Sequence, residues 1–199
     1  MPTVAEKILS HADAMPEGAL ISAKEFLHLG TRAAVDQALK RLQERNELMR
    51  LGRGVYIRPI KTRFGMRAPA AEKVIERIAA TRAETIAPHG AAAANALGLT
   101  TQVPTKLVYL TSGPNRRLKL GAQVIEMKHA PQWMLLPAQP VAGEAVRALA
   151  WLGKGRATKA LTTLKDKLPS STLEELIALR PALPSWMSKS ISQALVSHG

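Results

Sequence analysis

The first sixty residues constrain the fold most, because they contain three helical patterns with clear boundary signals, followed by two short strand patterns. Residues 3–6 (TVAE) and 22–25 (SAKE) are capping-box sequences, in which a hydroxyl and a carboxylate each bond a backbone amide at the start of a helix. Gly30 ends the second pattern where a helix often needs a left-handed residue. Thr31 then caps a third helix, which we predict to run to about Asn46.

The pattern changes from helix to strand after this third helix. Its apolar residues recur at helical spacing and are expected to be buried: Val35, Ala38, Leu39 and Leu42. Residues 48–51 and 55–57 are short strand-like runs, and the Gly-Arg-Gly sequence of residues 52–54 forms a tight turn between them. Three helices followed by a small basic hairpin predict a winged helix-turn-helix over residues 1–60.

The exposed face of the third helix and the hairpin have side chains suited to double-stranded DNA. A recognition helix inserts its N-terminal half into the major groove. There Gln37 can bind adenine, Arg32 can bind guanine, and Ala33 can contact a thymine methyl group. Cationic and hydroxyl side chains suit phosphate contacts, and glycines beside an arginine allow close approach to the backbone. The predicted DNA contacts are Thr31, Arg32, Ala33, Gln37, Lys40, Arg41, Arg50 and Arg53.

The bulk charge favours a polyanionic partner. The chain has 28 Lys and Arg against 15 acidic residues, a formal net charge of +13, and such a charge attracts nucleic acid over long range. There are no cysteines, which excludes disulfides and thiol chemistry. The sequence has no apolar run typical of a signal peptide or of a membrane span, so we expect a cytoplasmic protein without membrane contact.

The remaining residues predict a connector and a second domain. Residues 61–68 are basic and contain glycine, and we interpret them as the connector. Residues 69–199 predict a mixed domain with a third capping box at 171–174, and its elements are helices at 69–82, 91–97, 144–152, 157–168, 172–179 and 185–196, and strands at 106–111, 117–120 and 123–127. The predicted fold class is α+β and mainly helical: an N-terminal winged helix-turn-helix, then a mixed α/β second domain with a helical C-terminal tail.

A family resemblance accompanies these patterns. The run ISAKEFLHLGTRAAVDQALKRLQERNELMRLGRGVYIRP resembles the N-terminal winged helix of AbiEi-type antitoxins, which belong to type IV toxin–antitoxin systems. NALGLTTQVP, KLVYLTSGP and RRLKLGAQVIEMKHA are similar to the second domain of that family, so the resemblance covers about residues 1–130. It implies that the first domain represses its own operon and that the second counteracts a nucleotidyltransferase-like toxin. Direct contact with that toxin is left open, and the family supplies no catalytic residues.

A second basic cluster and other binding functions are alternatives that the sequence leaves open. Arg116, Arg117 and Lys119 lie on one predicted hairpin, and they extend the DNA footprint or form a solvated turn. Two other functions are alternatives to the antitoxin. One is a winged-helix transcription regulator whose second domain serves dimerisation or sensing, and the other is a winged helix that binds a protein. The oligomeric state is not determined by these patterns.

A nuclease is the third function considered, and the sequence favours it least. Glu126-Met127-Lys128 has the Glu-x-Lys form of some nucleases, but no Asp or Glu lies between Glu84 and Glu126 to supply a second metal ligand. A surface ion pair explains Glu126 and Lys128 more simply. The five histidines are scattered, and no phosphate-binding glycine loop occurs. We therefore predict a protein without catalytic residues, metal or cofactor.

Overall fold

The computed structural model describes residues 2–136 and 140–196. The described residues form eight α-helices, which are α1 (Val4–Ala14), α2 (Arg32–Glu44), α3 (Ala71–Arg82), α4 (Gly90–Ala96), α5 (Pro140–Leu152), α6 (Lys154–Lys167), α7 (Ser170–Leu179) and α8 (Ser185–Ile191). They also form nine short strands, which are β1 (Ile21–Ser22), β2 (Met49–Gly52), β3 (Val55–Ile57), β4 (Ile60–Thr62), β5 (Gly65–Arg67), β6 (Ile86–Pro88), β7 (Leu107–Thr111), β8 (Arg116–Leu120) and β9 (Gln123–His129). The α+β, mainly helical class and the helical C-terminal part are confirmed.

The chain divides into two compact units that are not continuous in sequence. The N-terminal unit contains residues 1–84 and 115–127, and the C-terminal unit contains residues 85–114 and 128–199. Residues 61–84 therefore cluster with the N-terminal elements, as do β8 and most of β9. The division into a DNA-binding domain that ends at residue 60 and an antitoxin domain that begins at residue 69 stays a prediction.

The helix starts of the N-terminal unit follow the predicted capping sequences. The Glu6 amide donates to the Thr3 hydroxyl at 3.2 Å, and the Thr3 amide donates to the Glu6 carboxylate at 2.7 Å. The Ser22 amide donates to the Glu25 carboxylate at 2.8 Å, where a 3-10 helix spans Ala23–Leu29. Both predicted starts are confirmed, and the second one begins a 3-10 helix.

A three-stranded antiparallel sheet closes this helical group. Its strand order is β1-β3-β2, with Ile21 opposite Tyr56. The helices and sheet share one apolar core, whose buried members are Ile8, Ala12, Ile21, Ala23, Phe26, Val35, Ala38, Leu39, Leu42 and Leu48. The predicted buried face of α2 is thus confirmed. β1 lies outside the predicted strands, because a two-residue strand has no periodicity to detect.

Two further hairpins belong to the same unit. β4 and β5 pair in antiparallel register, and apart from Ile60 both strands lie in the segment interpreted as a connector. β8 and β9 also pair in antiparallel register, as predicted, and Leu118 of β8 lies beside Gly52 of β2. The Arg116 guanidinium binds both carboxylate oxygens of Glu84 at 3.0 and 2.6 Å, with 14% and 10% of the two side chains exposed. This ion pair joins β8 to the segment after α3.

Two predictions about helix ends are wrong. Gly30 has φ 166°, which is extended backbone and not the left-handed conformation expected at that helix end. The capping box at residues 171–174 does not form, because α7 already begins at Ser170 after Pro169 and has no side-chain cap. Ser171 is therefore inside the helix, where its hydroxyl cannot occupy the capping position.

The C-terminal unit is built mainly from helices. α5, α6, α7 and α8 surround one core that includes Leu149, Leu161, Leu164, Leu176 and Met187. α5 begins at Pro140, one turn before the predicted start. Within the part of the chain that the structure describes, no helix has the length and apolarity needed to cross a bilayer.

α4 packs closely against α5 because its residues are small. Ala93 and Ala94 of α4 are buried against Ala148 of α5. At Gly90 a side chain would have no room, since a Cβ there would overlap the carbonyl oxygen of Arg147 and lie 2.6 Å from the Cβ of Trp151. The glycine is therefore required by the close approach of two backbones.

We expect His89 to make the stability of the C-terminal unit depend on pH. Its Nδ1 accepts a hydrogen bond from the Ala91 amide at the start of α4. Burial, with a smaller effect of Lys128, lowers the pKa of His89 below 6.5. As the pH falls, the imidazole of His89 is therefore protonated in the unfolded chain at a higher pH than in the folded chain. The contribution of neutral His89 to the stability of the folded state is complete above the unfolded-state pKa, and it is lost as the pH falls through the folded-state pKa.

Urea unfolding of the parent and of His89→Asn between pH 7.5 and 5 tests this prediction. Asparagine caps a helix and does not titrate, so we expect a weaker pH dependence in the variant. Identical pH profiles for the two proteins would contradict a role for His89.

Candidate nucleic-acid interface

The outer face of α2 is exposed along its whole length. The Thr31 hydroxyl accepts the Ala34 amide at 3.2 Å, which begins the helix and leaves the hydroxyl hydrogen available to donate to a phosphate. The predicted contact residues on this helix are all exposed: Arg32, Ala33, Gln37, Lys40 and Arg41. α2 therefore presents, on one surface, the side chains that the sequence proposed for base and phosphate contacts.

Two ion pairs within α2 reduce its positive charge. The Nε atom of Arg32 lies 2.9 and 3.1 Å from the two carboxylate oxygens of Asp36. Lys40 lies 3.7 Å from Glu44. Both pairs are exposed and join residues one turn apart, and such pairs contribute roughly 0–1 kcal/mol. Phosphate or base contacts can replace them at little cost, but this face alone supplies little net attraction.

Gln37 and Arg41 differ from the other predicted contact residues of α2 because they border a groove. They line an open groove of about 620 Å³ between α1 and α2, together with Thr3, Glu6 and Arg45. Both side chains are exposed beside the groove and are therefore accessible to a ligand that binds α2.

The net positive charge of the unit is concentrated after α2. Between Glu47 and Glu72 the chain has six Arg and Lys residues and no Asp or Glu. Arg58 pairs with Asp13, and Arg67 lies 3.9 Å from Glu17. The other four have no ion pair with any residue in the described ranges, and they lie on the two hairpins: Arg50, Arg53, Lys61 and Arg63.

The turn between β2 and β3 exposes its backbone. Gly54 has φ 68°, and nothing lies within 4 Å of the position of a Cβ there. The Arg50 Nε donates to the Gly52 carbonyl at 3.3 Å, so this arginine lies along the hairpin, whereas Arg53 is exposed in the turn. A polyanion can therefore approach this turn closely.

The second predicted basic cluster separates into two parts. Arg116 is mostly buried and binds Glu84, so it serves the fold. Arg117 and Lys119 are exposed on β8. Arg117 lies 3.4 Å from Glu126 across the hairpin, which gives Glu126 a partner in an ion pair. Across residues 2–136 and 140–196, no three His, Asp or Glu side chains lie together as a metal site would require.

The salt dependence of DNA binding tests whether β8 extends the interface. Each phosphate contact contributes about 0.9 to the slope of log K against log salt concentration. We expect Arg117→Ala combined with Lys119→Ala to reduce this slope by about 1–2. The control is Lys154→Ala with Lys159→Ala, which removes the same charge from α6. A slope equal to that of the parent would exclude β8 from the interface.

Phe64 and the β4–β5 hairpin are absent from the predicted site. Phe64 lies between β4 and β5, next to Arg63, and is 85% exposed. The alternation of residues 60–67 and Gly65 could have indicated a hairpin. The shortness and basic composition of this segment favour a connector instead.

Comparisons with known proteins bear on fold and family. No curated protein matches the chain. The crystal structure of the RV2827C protein from Mycobacterium tuberculosis is similar, with a TM-score of 0.54 and 18% sequence identity, and the match covers 100% of this chain and 78% of that one. At this identity the likeness concerns the fold alone. The profile of a family of unknown function, DUF6088, matches residues 6–177, and the chain therefore belongs to that family.

Proposed function

We propose that this protein is a DNA-binding antitoxin that represses its own operon. One observation carries the DNA-binding part: the exposed face of α2 and the two hairpins with unpaired cations belong to the same compact unit. The antitoxin part comes from the resemblance to AbiEi-type proteins. The proposal places the protein in the cytoplasm, because a repressor of its own operon must reach the DNA of that operon.

The order of elements supports a winged helix-turn-helix. α1, β1, a 3-10 helix, α2, β2 and β3 follow one another, and the strand order is β1-β3-β2. In this reading α2 is the recognition helix, the 3-10 helix replaces the helix before it, and the β2–β3 hairpin is the wing.

Charge and side-chain type suit α2 to contacts with bases and the two hairpins to contacts with phosphates. α2 supplies Arg32 and Gln37 for base edges, but its ion pairs leave it little net charge. The hairpins supply four cations without an ion pair among the described residues, Arg50, Arg53, Lys61 and Arg63, which suits phosphate contacts that position a protein without reading sequence. We infer that α2 determines specificity and that the hairpins provide most of the affinity.

The C-terminal unit would counteract the toxin. Its helical core and the α2 surface belong to different compact units, so we expect substitutions in one unit to inactivate one role and spare the other. A nucleotidyltransferase-like gene beside the gene for this protein would support the pairing. The proposal requires no catalytic residue in either unit.

An electrophoretic retardation assay tests DNA binding, with a duplex that carries the promoter of the operon encoding this protein. We expect the full chain to bind this duplex more tightly than an unrelated duplex of equal length. The apparent affinity should fall linearly with salt on logarithmic axes. Equal affinity for the two duplexes would contradict operator recognition.

Co-expression with the adjacent toxin gene tests the antitoxin role. The full chain should restore growth, and a variant unable to bind DNA should still restore it when expressed from a foreign promoter. Promoter binding without rescue would instead support a regulator whose second unit serves dimerisation or sensing. Rescue without promoter binding would support a winged helix that acts through protein contacts.

A further inference from the structure

The β4–β5 hairpin displays an aromatic ring in solvent. The chain has two phenylalanines. Phe26 is buried, with 3% exposed, and Phe64 is 85% exposed. A phenyl ring gains stability from burial, and among the large apolar side chains of the described residues Phe64 has the highest exposed fraction.

The turn fixes the backbone at Phe64. Thr62 and Gly65 are partners in the antiparallel register, which leaves Arg63 and Phe64 as the two-residue loop. The Thr62 hydroxyl donates to the Gly65 carbonyl at 2.8 Å and accepts the Phe64 amide at 3.2 Å. Gly65 has φ 107°, which a side chain would strain. The tip is therefore preorganised.

The charged residues nearest to Phe64 in the chain are all cationic. The Arg63 guanidinium lies 4.6 Å from the centroid of the Phe64 ring. Lys61 is on the adjacent strand, and no acidic residue occurs from residue 48 to residue 71. The complementary partner has closely spaced negative charges and flat apolar surfaces between them, as stacked base pairs and their phosphates do.

We propose that Phe64 is a wedge that enters the minor groove of duplex DNA and inserts between two base pairs, while Arg63 and Lys61 bind the flanking phosphates. Apolar side chains inserted in this way unstack a base step and bend the duplex. Each three-residue strand of the hairpin extends about 10 Å, so only the tip needs to enter the groove. This inference rests on the proposed binding of duplex DNA by the N-terminal unit.

The experiment uses the full chain and a duplex of its own promoter, with 2-aminopurine replacing adenine at successive positions. Unstacking raises 2-aminopurine fluorescence, and donor and acceptor dyes at the duplex ends report bending. We expect fluorescence to rise at one step when the parent binds. Phe64→Ala should abolish this rise and the bend, and should weaken binding about tenfold, since stacked aromatics contribute on this scale.

Two variants separate insertion from general hydrophobicity. Phe64→Leu keeps an apolar wedge and should keep most of the fluorescence rise. Val103→Ala removes another apolar side chain, 75% exposed, and should behave as the parent does. The melting temperature of Phe64→Ala should equal that of the parent, because the ring makes no core contact.

The outcomes distinguish this inference from the proposed function. Parent protein that binds the promoter without unstacking or bending it overturns the wedge and leaves DNA binding intact. The same holds if Phe64→Ala binds and bends DNA as the parent does. Parent protein that binds no duplex contradicts the proposed function, and tighter binding to single-stranded DNA or RNA overturns insertion between base pairs.

Discussion

Lys40→Glu combined with Arg53→Glu is expected to weaken promoter binding at least a hundredfold. Lys40 is exposed near the middle of α2, and Arg53 is exposed in the β2–β3 turn. Each substitution removes an attraction to phosphate and adds a repulsion. Two such changes of about 1.5 kcal/mol each correspond to two orders of magnitude in affinity. Retardation assays at fixed salt measure the effect.

The matched control has the same change in net charge elsewhere. Lys154→Glu with Lys159→Glu places the reversals on α6, in the C-terminal unit. We expect this control to weaken binding only slightly, through the long-range field of the whole protein. Equal retardation by the parent and the Lys40/Arg53 variant would remove the basis for the DNA-binding proposal.

Gly90→Ala is expected to destabilise the C-terminal unit by about 4 kcal/mol or more, which is at the upper end of the range for single substitutions. Helix propensity alone predicts the opposite, a gain of up to about 1 kcal/mol for alanine over glycine. The steric effect dominates here, because the new Cβ would overlap the Arg147 carbonyl oxygen, which is fixed within α5. α4 would have to move away from α5 and open the contact at Ala148.

Gly155→Ala is the control for this prediction. It lies in the first turn of α6, and nothing lies within 4 Å of its Cβ position. We expect a small gain in stability there. Urea unfolding followed by tryptophan fluorescence suits both variants, since Trp151 lies beside Gly90. Equal stabilities for the two variants would show that α4 is not held closely against α5.

The helices that carry the candidate site could be predicted because their signals are local. Val35, Leu39 and Leu42 recur at helical spacing, and Thr31 stands directly before them. A helix of three turns repeats its pattern often enough to fix both its buried face and its exposed face. The predicted exposed residues therefore required no knowledge of the rest of the chain.

The features that were not predicted depend on distant or very short segments. β1 pairs with β3, whose residues lie 33 to 35 positions later in the chain, and neither strand is long enough to show alternation. Arg116 looks like a surface cation in the sequence, yet it binds Glu84, which is 32 residues earlier. Such partners are determined by tertiary packing and not by local spacing.

The return of β8 and β9 to the N-terminal unit has a consequence for biosynthesis. When Glu84 leaves the ribosome, Gly52 still lacks its neighbour Leu118, and Glu84 lacks Arg116. Closing this long loop carries an entropic cost and slows folding relative to a unit made of consecutive residues. The nascent N-terminal half must therefore wait for about forty more amino acids, a few seconds of translation, before its sheet surface is covered.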